Sequence, residues 1–480
     1  MALIRMWLRL KITGWLIAVA MVLLAPVALM AAPRVPASAG APTPSEKYLL
    51  DQIVAGKVAN LEEAFPDDAG RVIRGAFLEE LLTGSRKDCV IHRNGVQIEG
   101  ALIRDALDLR NAQIACDTRL VRCRFEAEVN FSKCIFENSL SIEESVFAGP
   151  VNAVAMKVGR GATLQRAVFR SAANFEQIEI TGMLMAGGVS FENAGGSAAF
   201  NSMKAGGNVY FTNAVFAGAA HFQFSHITDN LKFDGARFTN ALGLVSFEGV
   251  KVDASASFAR VSFAGYVSFK DGHFHTLDLT DAVWPDRDYG EWLWLNGMAY
   301  QRVIAGAEKD SWSNLLQLVD RAAHRSAYST DIYSGLVDFY RREGYPRQAN
   351  QFFIAQKRRE REEVLQGVQW CWSLFLDWFV GYGRSPERAL FWSTSVVLLG
   401  VVVFRPHRME PRTTNLKADH YSALWYSIDL FLPLIKLQDA ELWKPRDEAR
   451  FARFWSRFHT MLGWALIPIA VAAWTGMLEK

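Results

Sequence analysis

Few side chains in this sequence could do chemistry, and they are scattered. Five cysteines stand at Cys89, Cys116, Cys123, Cys134 and Cys371. A thiolate can act as a nucleophile or a metal ligand, but either role wants a base or further ligands close by. Cys123 and Cys134 each sit two positions before a phenylalanine, in a slot otherwise filled by alanine, and read as small buried residues. Cys89 and Cys116 are the pair that could bond in an oxidising compartment. Cys371 lies among tryptophans and reads as free. His221 and His226 flank Phe222 and Ile227 and should point outward. His273 and His275, at i and i+2, could share a face, but a structural zinc site takes four ligands. The chain has no phosphate-binding loop, no G-x-G-x-x-G, no H-E-x-x-H and no G-x-S-x-G. No catalytic, cofactor-binding or metal-ligating residue is assigned, no cofactor is expected, and the protein does not read as an enzyme.

The element that positions most of these residues is a repeat. Large apolar residues recur after five, then six positions: Phe125, Phe131, Phe136, Ile142, Phe147. The series resumes as Leu164, Phe169, Phe175, Ile180, Met185, Phe191. Later runs begin at Phe211 and at Phe247. Strands need a period of 2 and helices 3.6, so neither fits. A short strand that turns a corner every five or six residues does, and four such sides close one coil in 22 residues. Phe125, Phe147, Phe169 and Phe191 then fall in one interior column, as do Phe211 with Phe233 and Phe216 with Phe238. The register slips between Ala194 and Asn208 and again near Ala241 to Val245, where irregular corners are expected.

Small residues precede the large ones by two, as in Ala167-Val168-Phe169, Ala173-Asn174-Phe175 and Ala236-Arg237-Phe238. In these units the chain resembles the pentapeptide-repeat family, and the five-plus-six spacing resembles its Phe-rich branch. The resemblance implies a right-handed quadrilateral β-helix over residues 100–281. Its best-known members are acidic rods that mimic DNA. Between Val121 and Val283 this chain carries 13 Lys/Arg against 15 Asp/Glu, too balanced for that role. No nucleic-acid partner is expected either, since the net charge of the whole chain is only +2.

The flanks differ. Residues 1–39 carry a basic start, an apolar run and Ala37-Ser38-Ala39, the pattern of a signal peptide or an N-terminal anchor. The chain beyond this segment is then exported. Residues 45–99 read as a helical capping segment. Residues 285–366 become 3.6-periodic, and Leu336-Val337-Asp338-Phe339 with Arg347-Gln348-Ala349-Asn350, punctuated by Gly344 and Pro346, resembles one tetratricopeptide-like hairpin. The mixed charge run Lys357 to Glu363 reads as a solvated helix face.

The carboxyl-terminal part reads as membrane. All 15 tryptophans lie before residue 20 or after residue 280. Residues 367–383 are rich in rings with Asp377 the single charge, which suits an interfacial amphipathic helix. Gly381-Tyr382-Gly383 should break it, and Ser385 should cap the next helix ahead of Pro386. Residues 384–404 and 458–478 read as transmembrane helices. The loop 405–457 holds an amphipathic or re-entrant helix over 421–437. Span, short helix and span resemble a two-span ion channel, but Phe431-Leu432-Pro433-Leu434-Ile435-Lys436 stands where a potassium filter would have glycines. The loop from Arg405 to Arg457 has 10 Lys/Arg against 7 Asp/Glu and belongs inside.

The fold class is therefore mixed: a right-handed quadrilateral β-helix followed by an α-helical linker and transmembrane helices. The expectation is a bacterial pentapeptide-repeat protein of the inner membrane, its rod on the periplasmic side. It would serve as a scaffold whose partners are the lipid bilayer, an unknown envelope protein and, as an open option, a second copy. The alternative is a channel-like or gating module with the rod as sensor.

Overall fold

The computed structural model describes residues 41–285, 292–306, 311–322, 330–412, 421–432 and 439–474. The expected targeting segment 1–39 lies outside them. The described chain is a right-handed β-solenoid followed by α-helices.

Most sides of the solenoid are strands of only two or three residues, such as Arg124–Phe125, Val129–Asn130, Ile135–Phe136 and Leu140–Ser141; longer strands lie toward its two ends. One residue of each pair points in and the other out. A two-residue strand has no stability of its own. It forms because the coils above and below supply its hydrogen bonds, and every pairing along the rod is parallel. One face stacks 8 strands and another 9. The commonest register is an offset of 22, as in Phe147 opposite Phe169 and Leu140 opposite Ala162.

This register builds the interior columns. Phe125, Phe147, Phe169 and Phe191 stack with centroids 4.7, 4.9 and 5.0 Å apart and rings within 10° of parallel. The column continues through Phe216, Phe238 and Phe263 to Trp284. A second runs Phe175, Phe200, Phe222, Phe247, Phe269, and a third Phe211, Phe233, Phe258. Neighbouring columns meet edge to face, as Phe169 and Phe175 do at 88°. One slot differs from the expected series. Strict alternation of five and six puts Ala186, fully buried, where Met185 is expected, and Met185 turns outward.

The two register slips have one cause. Phe191 pairs with Phe216 and Phe238 with Phe263, offsets of 25 instead of 22. Three extra residues enter at Asn193–Gly196 and again at Asn240–Gly243, both at the same corner. The upper insertion ties to the lower, with Asn240 Nδ2 donating to Ala194 O at 3.1 Å. Elsewhere the corners are uniform. A left-handed residue recurs every 11 positions at Asn111, Arg122, Lys133, Glu144, Ala155, Arg166 and Gln177, with φ between 52 and 58°. Most of these corners close with a hydrogen bond back over three residues, such as Ala167 N–H to Leu164 O at 3.1 Å; at Arg122 the Ser145 hydroxyl takes the place of that carbonyl.

The ladder outruns residues 100–281 at both ends. It starts at Ala59–Asn60 against Val96–Glu99 and finishes at Ala299–Ile304. Helix α1 (Pro44–Val54) and helix α2 (Gly75–Leu82) cover the first coil. Thr43 and Glu46 form a capping box on α1, and the fully buried Glu46 carboxylate takes Arg74 Nε at 2.8 Å and Nη2 at 2.6 Å. At the other end come α3 (Ser311–Ala322), α4 (Asp331–Arg342) and α5 (Pro346–Glu363). The hairpin of α4 and α5 turns at Gly344, whose φ is 81°. Its residues Leu336, Phe339 and Phe352 belong to the same continuous apolar core as the coils.

Beyond the collar lie α6 (Gly367–Val380), α7 (Pro386–Val403), α8 (Ala423–Phe431) and α9 (Arg450–Trp474). Gly381, Tyr382 and Gly383 are all left-handed and break α6 from α7. Ser385 precedes α7, but its side chain makes no capping bond and lies against the left-handed Gly381. Among the described residues no single helix is long and apolar enough to cross a membrane. The pair Gly367–Gly383 and Glu387–Val403 is long and apolar enough together, but it bends by 114°. A short antiparallel pair, Met409–Pro411 with Trp443–Pro445, joins the segments between α7 and α9. Of the stretch Phe431 to Lys436 that stands where a filter would, residues 433–436 lie outside the described residues.

Candidate functional site

The solenoid brings none of the chemistry-bearing residues together. Cys123 and Cys134 are buried in the small slots, and burial pushes both thiols up to about 12. Their slot also holds Ser145, fully buried, whose Oγ accepts Cys123 N–H at 2.9 Å and donates to Leu120 O at 2.8 Å. Cys89 and Cys116 are free thiols, each raised by burial, so the bond open to them in the sequence is not made. Cys371 is free and exposed. His221 is half-buried, and its imidazole is lowered by that burial. His226 faces out and meets Asp253 Oδ2 at 2.8 Å. His273 bonds its neighbour Asp271 O instead of pairing with His275. Among the described residues no group of three His, Cys, Asp or Glu could hold a metal ion.

The rod has no room inside either. The gap between last coil and collar, lined by Phe269, Trp284, Leu318 and Leu336, is about 20 Å³. That is room for a water or so and far too little for a ligand. Outside, opposite charges alternate up the faces. Glu179 bridges Lys157 at 2.8 Å and Lys204 at 3.0 Å, and Asp253 bridges His226 and Lys251. A second outward column holds Asn130, Asn152 and Asn174, each accepting the backbone N–H two residues on. These are flat, polar, locally neutral surfaces.

The densest charged cluster lies elsewhere. The charge run 357–363 is solvated only in part: Arg358, Glu362 and Glu363 are exposed, but Arg359 and Arg361 are buried, and α5 packs against α6. Its anchor is Asp377, the single acid of α6, whose side chain is 5% exposed. Arg358 reaches it with Nε at 2.9 Å and Nη2 at 3.0 Å, and Arg361 with Nη1 at 3.0 Å. Arg388, from the first turn of α7, approaches Oδ1 at 3.5 Å and donates to the Asp377 carbonyl at 2.8 Å. Arg361 also donates to Tyr382 Oη, which pairs with Ser373 Oγ at 2.8 Å. Burial pushes the Asp377 carboxyl up. The Arg358 and Arg361 hydrogen bonds outweigh it and hold the group below the usual carboxylate range. Asp377 stands out in the sequence as the lone charge of its helix. Its partners do not, because α5 folds back onto α6 at the turn 364–366 and α7 at the left-handed break 381–383.

A second polar cluster joins α7, α8 and α9. Ser427 Oγ donates to Val397 O at 2.9 Å, and the fully buried His459 sets Nε2 3.0 Å from Ser427 O. The helices touch at glycines: a Cβ on Gly400 would fall 2.1 Å from Ser427 Oγ, and one on Gly463 1.9 Å from Phe431 O. No protein-family model, curated protein or solved structure matches this chain.

Proposed function

We propose that the protein is a membrane-anchored, non-enzymatic scaffold of a bacterial envelope. Its rod would present flat outer faces to a protein partner in the exported space, and its helical base would sit in the inner membrane. One contrast carries the reading. On the coils the large side chains point in and the outward columns are polar. On α6, α7 and α9 the large side chains point out: Trp372, Trp378, Phe391, Leu398, Phe454 and Trp464 are each more than half exposed. A water-soluble surface does not keep that much contiguous apolar area, whereas a bilayer or its interface covers it. Close glycine contacts among α7, α8 and α9 suit packing in lipid. Arg405 and Arg408 after α7, with Arg450, Arg453 and Arg457 at the start of α9, favour a cytoplasmic loop and an exported rod.

Reporter fusions after Ala282, Glu410 and Lys480 test the arrangement in cells. The expected pattern is out, in, out, and the reverse pattern would remove the export argument. Site-directed crosslinking from the outer faces of the coils, with deletion of residues 100–281 as the comparison, tests the scaffold role. A rod that crosslinks to nothing and can be deleted without a phenotype counts against it.

A channel-like reading is the alternative, favoured by the buried Ser427–His459 pair where the short helix α8 meets both long ones. Conductance in reconstituted planar bilayers separates the two, and its absence leaves the scaffold reading standing.

A further inference from the structure

The arginine cluster is larger than its carboxylate needs. One aspartate would balance one arginine, yet three converge on Asp377. Arg361 is enclosed and does the structural work, with 11% of its side chain exposed. Arg358 and Arg388 are not enclosed: 48% and 37% of their side chains remain open. Both face a cleft of about 830 Å³ between α5, α6 and the start of α7.

The rest of the cleft wall is apolar and aromatic. Trp378, Trp392 and Phe391 line it. The two indoles stack at 6.4 Å and 14°, and Trp392 Nε1 is fixed on Trp378 O at 3.1 Å. Glu387 stands at the rim. Three arginines against Asp377 and Glu387 leave the lining at 3 − 2 = +1. A ligand that suits this wall has one negative charge on paired oxygens and an apolar body attached to it. Guanidinium groups hold such oxygens through paired N–H donors, better than lysine can. Rings at a lipid–water boundary hold glycerol and the first acyl carbons.

We propose that this cleft binds the headgroup phosphate of an anionic phospholipid, with Arg358 and Arg388 on the oxyanion and Trp378, Trp392 and Phe391 along the chains. Asp377 and Arg361 position the two open arginines from behind. The site rests on the membrane reading above and adds a lipid class to it. It also gives the bend between α6 and α7 a purpose, since the bend is what brings Arg388 over α6.

The test uses the full-length protein purified in a non-ionic detergent, with binding read by native mass spectrometry and by thermal shift. Three probes are compared at equal concentration: phosphatidylglycerol, phosphatidylcholine and inorganic phosphate. Phosphatidylglycerol should remain bound and raise the melting temperature, while the other two do neither. The double variant Arg358→Gln/Arg388→Gln should weaken retention at least tenfold. Glu387→Gln, on an exposed residue in the first turn of α7, should tighten it several-fold and guards against a double variant that misfolds. Equal retention by wild type and double variant, with Glu387→Gln unchanged, overturns the site. Binding of inorganic phosphate as strong as that of the lipid overturns it in favour of a soluble anion. Alkaline extraction of cell membranes separates this failure from the parent one: wild-type protein released into the soluble fraction sinks the membrane reading itself.

Discussion

Replacing Phe169 by alanine removes an interior ring, the third of eight, from the longest column. Phe169 is 1% exposed, lies 4.9 Å from Phe147 and 5.0 Å from Phe191, and meets Phe175 edge to face at 5.6 Å. Deleting a buried phenylalanine costs about 3–5 kcal/mol in transfer and cavity terms. Three ring contacts are lost with it, each worth about 0.5–1.5 kcal/mol beyond area. The coil cannot collapse inward to fill the space, because its corners are fixed by left-handed residues at Ala155, Arg166 and Gln177. The expected loss is therefore about 5 kcal/mol. In a solenoid each coil touches only its neighbours, so the loss should be local. Hydrogen exchange of the full-length protein reads this directly: protection should fall across residues 147–191 and hold in the collar. Phe169→Leu keeps most of the volume but no ring, and should cost roughly 1–3 kcal/mol. Phe224→Ala is the control, since Phe224 is 64% exposed and its loss should stay within about 0.5 kcal/mol. If Phe169→Ala and Phe224→Ala behaved alike, the stacked interior would not be what holds the coils together.

Three more outcomes are expected from the same geometry. In native protein Cys371 should react with a maleimide within minutes, whereas Cys123 and Cys134, buried and raised to about 12, should label only after unfolding; peptide mass mapping separates them. The Glu46 carboxyl is raised by burial, but bonds from Arg74 and Thr43 leave it below its ordinary value of 4.5, so the contribution of the N-terminal cap is full above pH 4.5 and drains as pH falls through the lowered value. Hydrogen exchange of α1 against pH should show that loss, and Glu46→Gln should abolish the pH dependence. Ala155→Gly should be neutral or stabilise by up to about 1 kcal/mol in thermal melts, because alanine at φ 56° is strained where glycine is not.

The coils are legible in the sequence because their code is redundant. Phe125, Phe147, Phe169 and Phe191 repeat one residue at one interval, and a spacing of five and six admits no helix or flat strand. Ala186 escapes notice because a small residue in a large-residue slot leaves no mark in a search for large ones. Both slips in register show in the sequence as breaks in the spacing, but that each is a three-residue insertion at the same corner becomes evident only when Asn193–Gly196 and Asn240–Gly243 stack. The extra coil ending at Ala299–Ile304 is hidden because it carries no phenylalanine: Tyr300 stands opposite Phe274 and Val303 opposite Leu277. The charge cluster is beyond sequence reading altogether. Alternating Arg and Glu on a helix look alike whether water or another helix covers them. Only the neighbour decides, and Asp377 and Arg388 belong to other helices.

Helix α5 joins two different kinds of adhesion. Near its start, Ala349 and Phe352 sit in the apolar core shared with the rod, with Phe352 stacked on Tyr340 at 5.2 Å. Near its end, Arg358 and Arg361 hold Asp377 through hydrogen-bonded charge. An apolar joint is non-directional and tolerates small slides, whereas a paired arginine–carboxylate joint fixes one geometry. The rigid end of α5 is therefore the one that faces the helical base. Any load placed on the rod passes through continuous packing into α5 and reaches α6 and α7 at Asp377. A partner held by the coils would in this way bear on the one place where the described helices bend, which is also where two arginines stand open to an anion.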